Sequence, residues 1–150
     1  MATAFTRANL AASKQNVVNH DPTKKPGRGV LHMRKCRVDF DAIATTTGTA
    51  LAANDTFQVF DVAPGDVIIA AGGNVITATT GACVIDLGFT GGDVDMLMDG
   101  LVANDTSLPA CTRGILHPVY IATSDTVDAL TLTASGAGGV VEFWMLVYRP

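Results

Sequence analysis

From Val30 onward the chain is a series of short β-branched runs separated by glycine, asparagine and proline, and this pattern constrains its fold most. The run TFQVFDV ends at Ala63-Pro64-Gly65-Asp66, where proline fixes φ and glycine permits a tight turn. No window of twelve or more residues has a sustained 3.6-residue apolar repeat. The pattern predicts an all-β domain of about eight strands, a jelly-roll-like sandwich or barrel. The other runs are DVIIAA, VITATT, ACVIDLG, HPVYIAT, VDALTLTA and VVEFWMLVYR.

Two local patterns refine this prediction. In GVLHMRKCRVDF the apolar Cys36, Val38 and Phe40 share one parity, which predicts a half-buried strand that continues through Phe40. Leu31 and Met33 lie on the opposite parity. Further on, the sequence Gly72-Gly73-Asn74 between two β-branched runs predicts a hairpin turn.

Charge divides the chain into two parts. Residues 1–37 contain eight basic side chains and one acid, a net charge of +7, whereas residues 38–150 contain two basic side chains and thirteen acids, a net −11. The stretch NHDPTKKPGRG also concentrates proline, glycine and charge, which disfavours helix and sheet interior. We therefore predict an extended basic arm over residues 1–29 and a β body over residues 30–150. The arm residues expected to contact a partner are Phe5, Arg7, Lys14, Lys24, Lys25 and Arg28.

The composition of the arm favours a protein partner over nucleic acid or membrane. Phe5 is its only aromatic residue, whereas single-strand binders interleave several, and the acidic body would repel a polyanion. Docking onto an acidic protein surface suits both the arm and the body. The sequence has no run of eighteen apolar residues, and its first residues lack an apolar run of signal-peptide length, so neither membrane insertion nor export is expected.

The segment GFTGGDVDMLMDG, residues 88–100, is the strongest candidate for a ligand-binding loop, because it contains three aspartates and four glycines. An EF-hand loop counted from Asp93 would need an oxygen ligand at position five and a bidentate glutamate at position twelve, but Leu97 and Asn104 occupy these positions, so that template fails. The alternative that we favour is a glycine-hinged bend whose aspartates stay in water while Val94, Met96 and Met98 turn inward. A calcium site of another geometry stays open.

Other catalytic or metal-binding patterns are absent from the sequence. The three cysteines form no CxxC pair, the three histidines lie near no second ligand at metal spacing, and Glu142 is the only glutamate. Neither Gly-x-Ser-x-Gly nor Gly-Lys-Ser/Thr occurs. We therefore expect no catalytic, cofactor or metal residues and no enzymatic activity; a metal-dependent hydrolase is a third-ranked alternative.

The last strand has two apolar faces. Glu142, Trp144, Leu146 and Tyr148 share one face, and the residues between them share the other. Such a strand either lies between two layers or presents one face to another subunit, and we favour the second explanation. The predicted oligomer interface therefore comprises Trp144, Leu146 and Tyr148.

Several of these motifs together resemble the capsid decoration, or cement, proteins of tailed phages, including cyanophages. They are the turn Pro64–Val67, the strand end Ile85–Gly88, the Asp-rich bend and the late strand Asp125–Leu132, and the resemblance covers roughly residues 56–150. It implies a jelly-roll-like domain, often trimeric, on the outside of the capsid shell. Such proteins commonly use a terminal arm to tie neighbouring capsomers together. No catalytic residues carry over.

The sequence thus leads to one functional hypothesis with an alternative from another class. We expect a non-enzymatic virion protein, made in the host cytoplasm, that decorates and stabilises the capsid exterior without a cofactor. Its body would self-associate, as a trimer, and its arm would dock on the major capsid protein. The alternative is a carbohydrate- or receptor-binding module of a phage head or tail fibre, which would need exposed aromatic residues on loops.

Overall fold

Nested antiparallel strand pairs form the framework of the computed structural model, which describes residues 4–5, 29–106, 118–134 and 138–150. The strands alternate along the chain between two stacked sheets, because each turn or loop carries the chain across the sandwich, except at the β5–β6 hairpin. The strands are β1 Ala4–Phe5, β2 Val30–Asp39, β3 Thr56–Val62, β4 Val67–Thr77, β5 Val84–Gly88, β6 Met98–Val102, β7 Val119–Tyr120, β8 Asp125–Thr131 and β9 Val140–Arg149.

The pairing is that of a jelly roll. Strand β2 pairs with β9, β3 with β8, β4 with β7 and β5 with β6, and all four pairs are antiparallel. The first half of the body therefore pairs along its length with the second half, and the resulting long hairpin folds into two sheets. Sheet 1 has the order β1-β3-β8-β5-β6 and sheet 2 the order β2-β9-β4-β7. The two-residue β1 is parallel to β3. The all-β, jelly-roll-like prediction is confirmed.

The core fills the space between the two sheets. Phe57 of β3 and Phe143 of β9 meet edge to face, with ring centroids 5.9 Å apart. Phe40 packs against Phe57 in the same way at 6.2 Å. Such aromatic pairs stabilise the fold beyond the area they bury, by about 0.5–1.5 kcal/mol each. The inward residues of β9 have at most 3% exposure, so one face of that strand belongs to the core, and they are Val141, Phe143, Met145 and Val147.

A short helix replaces the predicted end of the first long strand. Strand β2 stops at Asp39, and helix α1 spans Phe40–Thr47. The Asp39 side chain accepts a hydrogen bond from the Ala42 N–H at 3.1 Å, and Gly48 ends the helix with φ 73°. The prediction of a strand through Phe40 was therefore wrong by one residue. Phe40 stays buried, but as the first helical residue.

The predicted hairpin at Gly72-Gly73-Asn74 is also wrong, because β4 runs unbroken through it. A Cβ on Gly73 would lie 2.9 Å from Cδ2 of Leu101 and 3.3 Å from Cδ1 of Phe143. The glycine is needed because two large core side chains occupy the space of its missing side chain.

The Asp-rich segment is the loop between β5 and β6. A Cβ on Gly88 would lie 2.3 Å from the carbonyl oxygen of Asp93, so the loop lies directly against the end of β5. Met98 is buried as predicted, but Met96 is 45% exposed and Leu97 is buried in its place. The Leu97 N–H donates to the Leu87 carbonyl at 2.9 Å, which fixes this register.

Three residues of the predicted N-terminal arm are among those described: Ala4 and Phe5, which form β1, and Gly29, which precedes β2. The arm residues Arg7, Lys14, Lys24, Lys25 and Arg28 lie outside the described residues. Within the described ranges, no helix combines the length and apolar character needed to cross a membrane.

Candidate functional site

The outer face of sheet 2 carries a continuous group of apolar side chains. Cross-strand register places them in rows, with Leu31, Tyr148, Val67 and Tyr120 in the first row. Leu31, Met33 and Tyr120 are 54%, 55% and 66% exposed, respectively. We name this surface the apolar face, and its members are Leu31, Met33, Val67, Ala70, Tyr120, Trp144, Leu146 and Tyr148.

Trp144 is the largest side chain of the apolar face and is half-buried. Its cross-strand partners are Lys35 on β2 and Gly72 on β4. Because Gly72 has no side chain, the indole has no side-chain neighbour at that register position. Large aromatic side chains, tryptophan among them, are typical of the anchor residues that dominate protein–protein interfaces.

Charged residues border one end of the apolar face. Nζ of Lys35 lies 2.9 Å from Oε1 of Glu142, and Arg37 is the cross-strand partner of Glu142. The lysine side chain is half-exposed, so this ion pair contributes little to stability. Its effect is to give the apolar face a polar rim, as protein interfaces have.

A partly buried ion pair lies at the opposite end of the face. Arg149, next to Tyr148, donates from Nε to Oδ1 of Asp66 at 2.5 Å and from Nη2 to Oδ2 at 2.6 Å. Burial raises the pKa of Asp66, but the hydrogen bonds from Arg149 and from the Ala63 N–H, together with nearby guanidinium charge, outweigh it and lower that pKa from 3.8. The pair ties the end of β9 to the turn between β3 and β4.

Carboxylates gather around the β5–β6 loop. The buried Asp86 accepts a hydrogen bond from the Gly100 N–H at 2.8 Å. Burial raises its pKa, and the charges of Asp99 and Asp95 raise it further against that hydrogen bond. Nevertheless, no three His, Cys, Asp or Glu side chains of the described residues come together in a way that could hold a metal ion.

A shallow cleft of about 230 Å³ lies between this loop and β7. Phe89 and Met96 line it from the loop, and Tyr120 and Ile121 line it from the other side. Asp125 also lines the cleft. Because Tyr120 belongs to both surfaces, the cleft continues the apolar face around the end of the sandwich.

The charges of the two sheets differ. The strands of sheet 1 contain five aspartates and no lysine or arginine, whereas the basic residues of the described ranges lie on β2 and β9. These basic residues are Arg34, Lys35, Arg37 and Arg149. Asp86 and Asp128 are buried, so the exposed acidic charge of sheet 1 comes from Asp61, Asp99 and Asp125.

The structure brings together the three side chains predicted to form an interface. Trp144, Leu146 and Tyr148 all lie on the apolar face. The sequence reasoning missed Leu31 and Met33, although their parity opposite Cys36 already placed them on the outer side. Val67, Ala70 and Tyr120 could be found only from the strand register, which local patterns do not provide.

The fold is that of chains found in phage capsids. No protein-family model matches the sequence, and no curated protein matches it. Solved structures do match. A chain of the cyanophage Pam1 capsid asymmetric unit has a TM-score of 0.61 and 16% identity, over 84% of this chain and 91% of that chain.

Two further capsid chains have the same fold. One, from the acid-stable capsid of Helicobacter pylori bacteriophage KHP30, has a TM-score of 0.60 and 14% identity over 83% of this chain and 91% of that one. The other, from the capsid of Ralstonia phage GP4, has a TM-score of 0.57 and 15% identity over 99% of both chains. The likeness to phage capsid proteins, including a cyanophage protein, is thus confirmed at the level of the fold.

Proposed function

We propose that this protein is a non-enzymatic structural component of a phage virion that decorates and stabilises the exterior of the capsid. The observation that carries the proposal is the likeness to three phage capsid chains over more than four fifths of each chain compared. Fold alone does not determine function. The surfaces of the body supply the second support, because they suit assembly.

The apolar face is proposed to join copies of this chain, as a trimer. A face with eight apolar side chains, several of them half-exposed or more, is larger than the scattered apolar residues of monomer surfaces. Leu146 lies in its middle row between Met33 and Ala70, and Trp144 lies next to the charged rim at Lys35 and Glu142. This arrangement of apolar core and polar rim is typical of subunit interfaces.

The basic arm is proposed to dock on acidic surface of the major capsid protein. Residues 1–29 carry five basic side chains and one acid, a net charge of +4. Long-range attraction between opposite charges would bring the arm to the shell, and ordering on contact would spread it over a large area. Neither nucleic acid nor membrane is needed in this proposal.

Head binding by a truncated protein tests the proposal. We expect a protein without residues 1–29 to keep its fold and its oligomeric mass but to lose binding to heads that lack the native protein. A matched control replaces only the five basic arm residues by glutamine, which removes charge while keeping chain length. Normal head binding by both variants would contradict docking by the arm.

One observation favours a second function, the carbohydrate- or receptor-binding module. Tyr120 is 66% exposed at the edge of the cleft, with Thr123 and Asp125 beside it. An aromatic ring next to polar groups is a common platform for a sugar. This function predicts that the protein binds glycans on an array and that Tyr120→Ala abolishes the binding. An array without signal would reject this second function and would not affect the capsid proposal.

A further inference from the structure

Among the described residues, the outer edge of β3 pairs with one short strand. Ala4 and Phe5 pair in parallel with Thr56 and Phe57, which makes β1 the edge of sheet 1. An open strand edge presents unpaired backbone donors and acceptors, so it can take up an extended segment.

The remainder of the β3 edge is unsuited to pairing. A β-bulge between Gln58 and Phe60 interrupts the regular spacing of its backbone groups. Beyond the bulge, the guanidinium of Arg34 on β2 donates to the carbonyl oxygen of Asp61. The available edge is therefore limited to the first two residues of β3, Thr56 and Phe57, and we name these two residues the acceptor edge.

Residues 6–28 connect β1, the tip of the arm, to the body. This segment is much longer than the distance from the start of the body to the acceptor edge of the same chain. The Gly29 N–H donates to the Arg149 carbonyl, and Arg149 binds Asp66 just after β3, so the body begins at the far end of β3 from the acceptor edge. That separation is about 20 Å along a seven-residue strand. The 23 residues from 6 to 28 can span up to about 75 Å. The tip can therefore reach well beyond its own subunit.

We propose that the acceptor edge of each copy binds residues 4–5 of a neighbouring copy, so that the arms exchange between subunits. A two-residue pairing is too small to be stable by itself, and closing a loop of this length within one chain costs entropy. In an assembly, the acceptor edge of a neighbouring copy has an effective concentration similar to that of the chain's own acceptor edge. Residues 4–5 that bind to the neighbour also link the two subunits. This inference rests on the proposed self-association.

Cross-linking between two differently tagged chains tests the exchange. Both chains carry Cys111→Ser, because Cys36 and Cys83 are buried and protected from reagents. One chain also carries Ala4→Cys and the other Thr56→Cys, at positions that are register partners. After co-expression and treatment with a short bismaleimide, we expect a covalent dimer with both tags.

Matched controls separate exchange from mere proximity and from failed assembly. Val102→Cys, exposed on the opposite edge strand β6, replaces Thr56→Cys in the control pair and should give little mixed dimer. Replacing residues 2, 3 and 5 by proline in the chain that carries Ala4→Cys should lower the yield of mixed dimer severalfold, because proline lacks the backbone N–H that strand pairing needs. The apolar face should keep the oligomeric mass of this variant unchanged.

Three results would overturn the exchange. They are cross-linking confined to a chain that carries both Ala4→Cys and Thr56→Cys, equal yields at the two edges, and no cross-link at all. Light scattering on the same samples reports whether the oligomer exists. An oligomer without mixed cross-links refutes the exchange alone, whereas a monomer refutes the proposed self-association as well.

Discussion

Changing one residue of the apolar face should separate subunits without unfolding them. Met33 is 55% exposed, so association can bury about half of its side chain. Complete burial of a methionine contributes about 1.5–3 kcal/mol, so the share from association is about 1 kcal/mol. Met33→Ala should therefore weaken each interface about fivefold.

Met33→Lys should have a much larger effect. The new ammonium group would have to be desolvated at the interface, and it would lie on the same face of β2 as Lys35. We expect no oligomer at micromolar concentration. Because the side chain points outward, the midpoint of urea unfolding should change little when wild type and variant are compared as monomers.

Sedimentation velocity across a hundredfold range of concentration measures this effect. Leu132→Lys is the matched control, because Leu132 is 42% exposed just after β8 of sheet 1, away from the apolar face. The control should retain the mass of the wild-type oligomer. If Met33→Lys and Leu132→Lys both sediment like the wild type, the apolar face is not the subunit interface.

Three further predictions concern the fold beneath these surfaces, and each is checked by urea unfolding. Arg149→Met should cost about 1–3 kcal/mol near pH 7, because it removes the two hydrogen bonds from Arg149 to the buried carboxylate of Asp66. Because folding lowers the pKa of Asp66, the ionised carboxylate stabilises the fold above pH 3.8, and this stabilisation is lost as the pH falls through the pKa of the folded state. The free-energy cost of Arg149→Met should therefore shrink in acid. A cost that stays constant with pH would contradict this. Asp86→Asn should stabilise the protein at pH 7, because the raised pKa of Asp86 means that its ionisation above pH 3.8 opposes folding. This gain in stability should vanish in acid. A loss of stability at pH 7 would refute the raised pKa of Asp86. Gly73→Val should cost about 1–3 kcal/mol or more by overpacking the core, and a neutral effect would show that the space beside Gly73 is larger than the structure indicates.

Most of the strands could be predicted from the sequence, because alternation of apolar and polar residues reports burial of one sheet face. The run TFQVFDV coincides with β3, and the last run coincides with β9. Helix α1 could not be predicted in this way, since it is short and buries only Phe40 and Ile43. Its capping residues, Asp39 and Gly48, are signals that a search for long periodic windows overlooks.

The glycines were the main source of error. Gly72 and Gly73 resemble a turn in sequence, yet they lie inside β4 opposite Trp144 and Phe143. Whether a glycine permits a turn or makes room for a neighbouring side chain depends on tertiary packing, which local sequence does not contain.

The candidate interface was predicted in part for a similar reason. The parity of β9 placed Trp144, Leu146 and Tyr148 together, because all three lie on one strand. The rest of the apolar face comes from β2, β4 and β7, and joining these strands requires a register that depends on bulges and distant pairings. The acceptor edge of β3 likewise depends on a bulge and on an arginine from the other sheet.

The copy number of this protein in purified virions tests the central claim most directly. Intact particles banded in a density gradient would be digested and quantified by mass spectrometry against the major capsid protein. The proposed function predicts that the protein is retained through purification, in a fixed ratio of one to a small whole number relative to that shell protein. Absence from intact virions, or only a few copies per particle, would contradict a capsid decoration role.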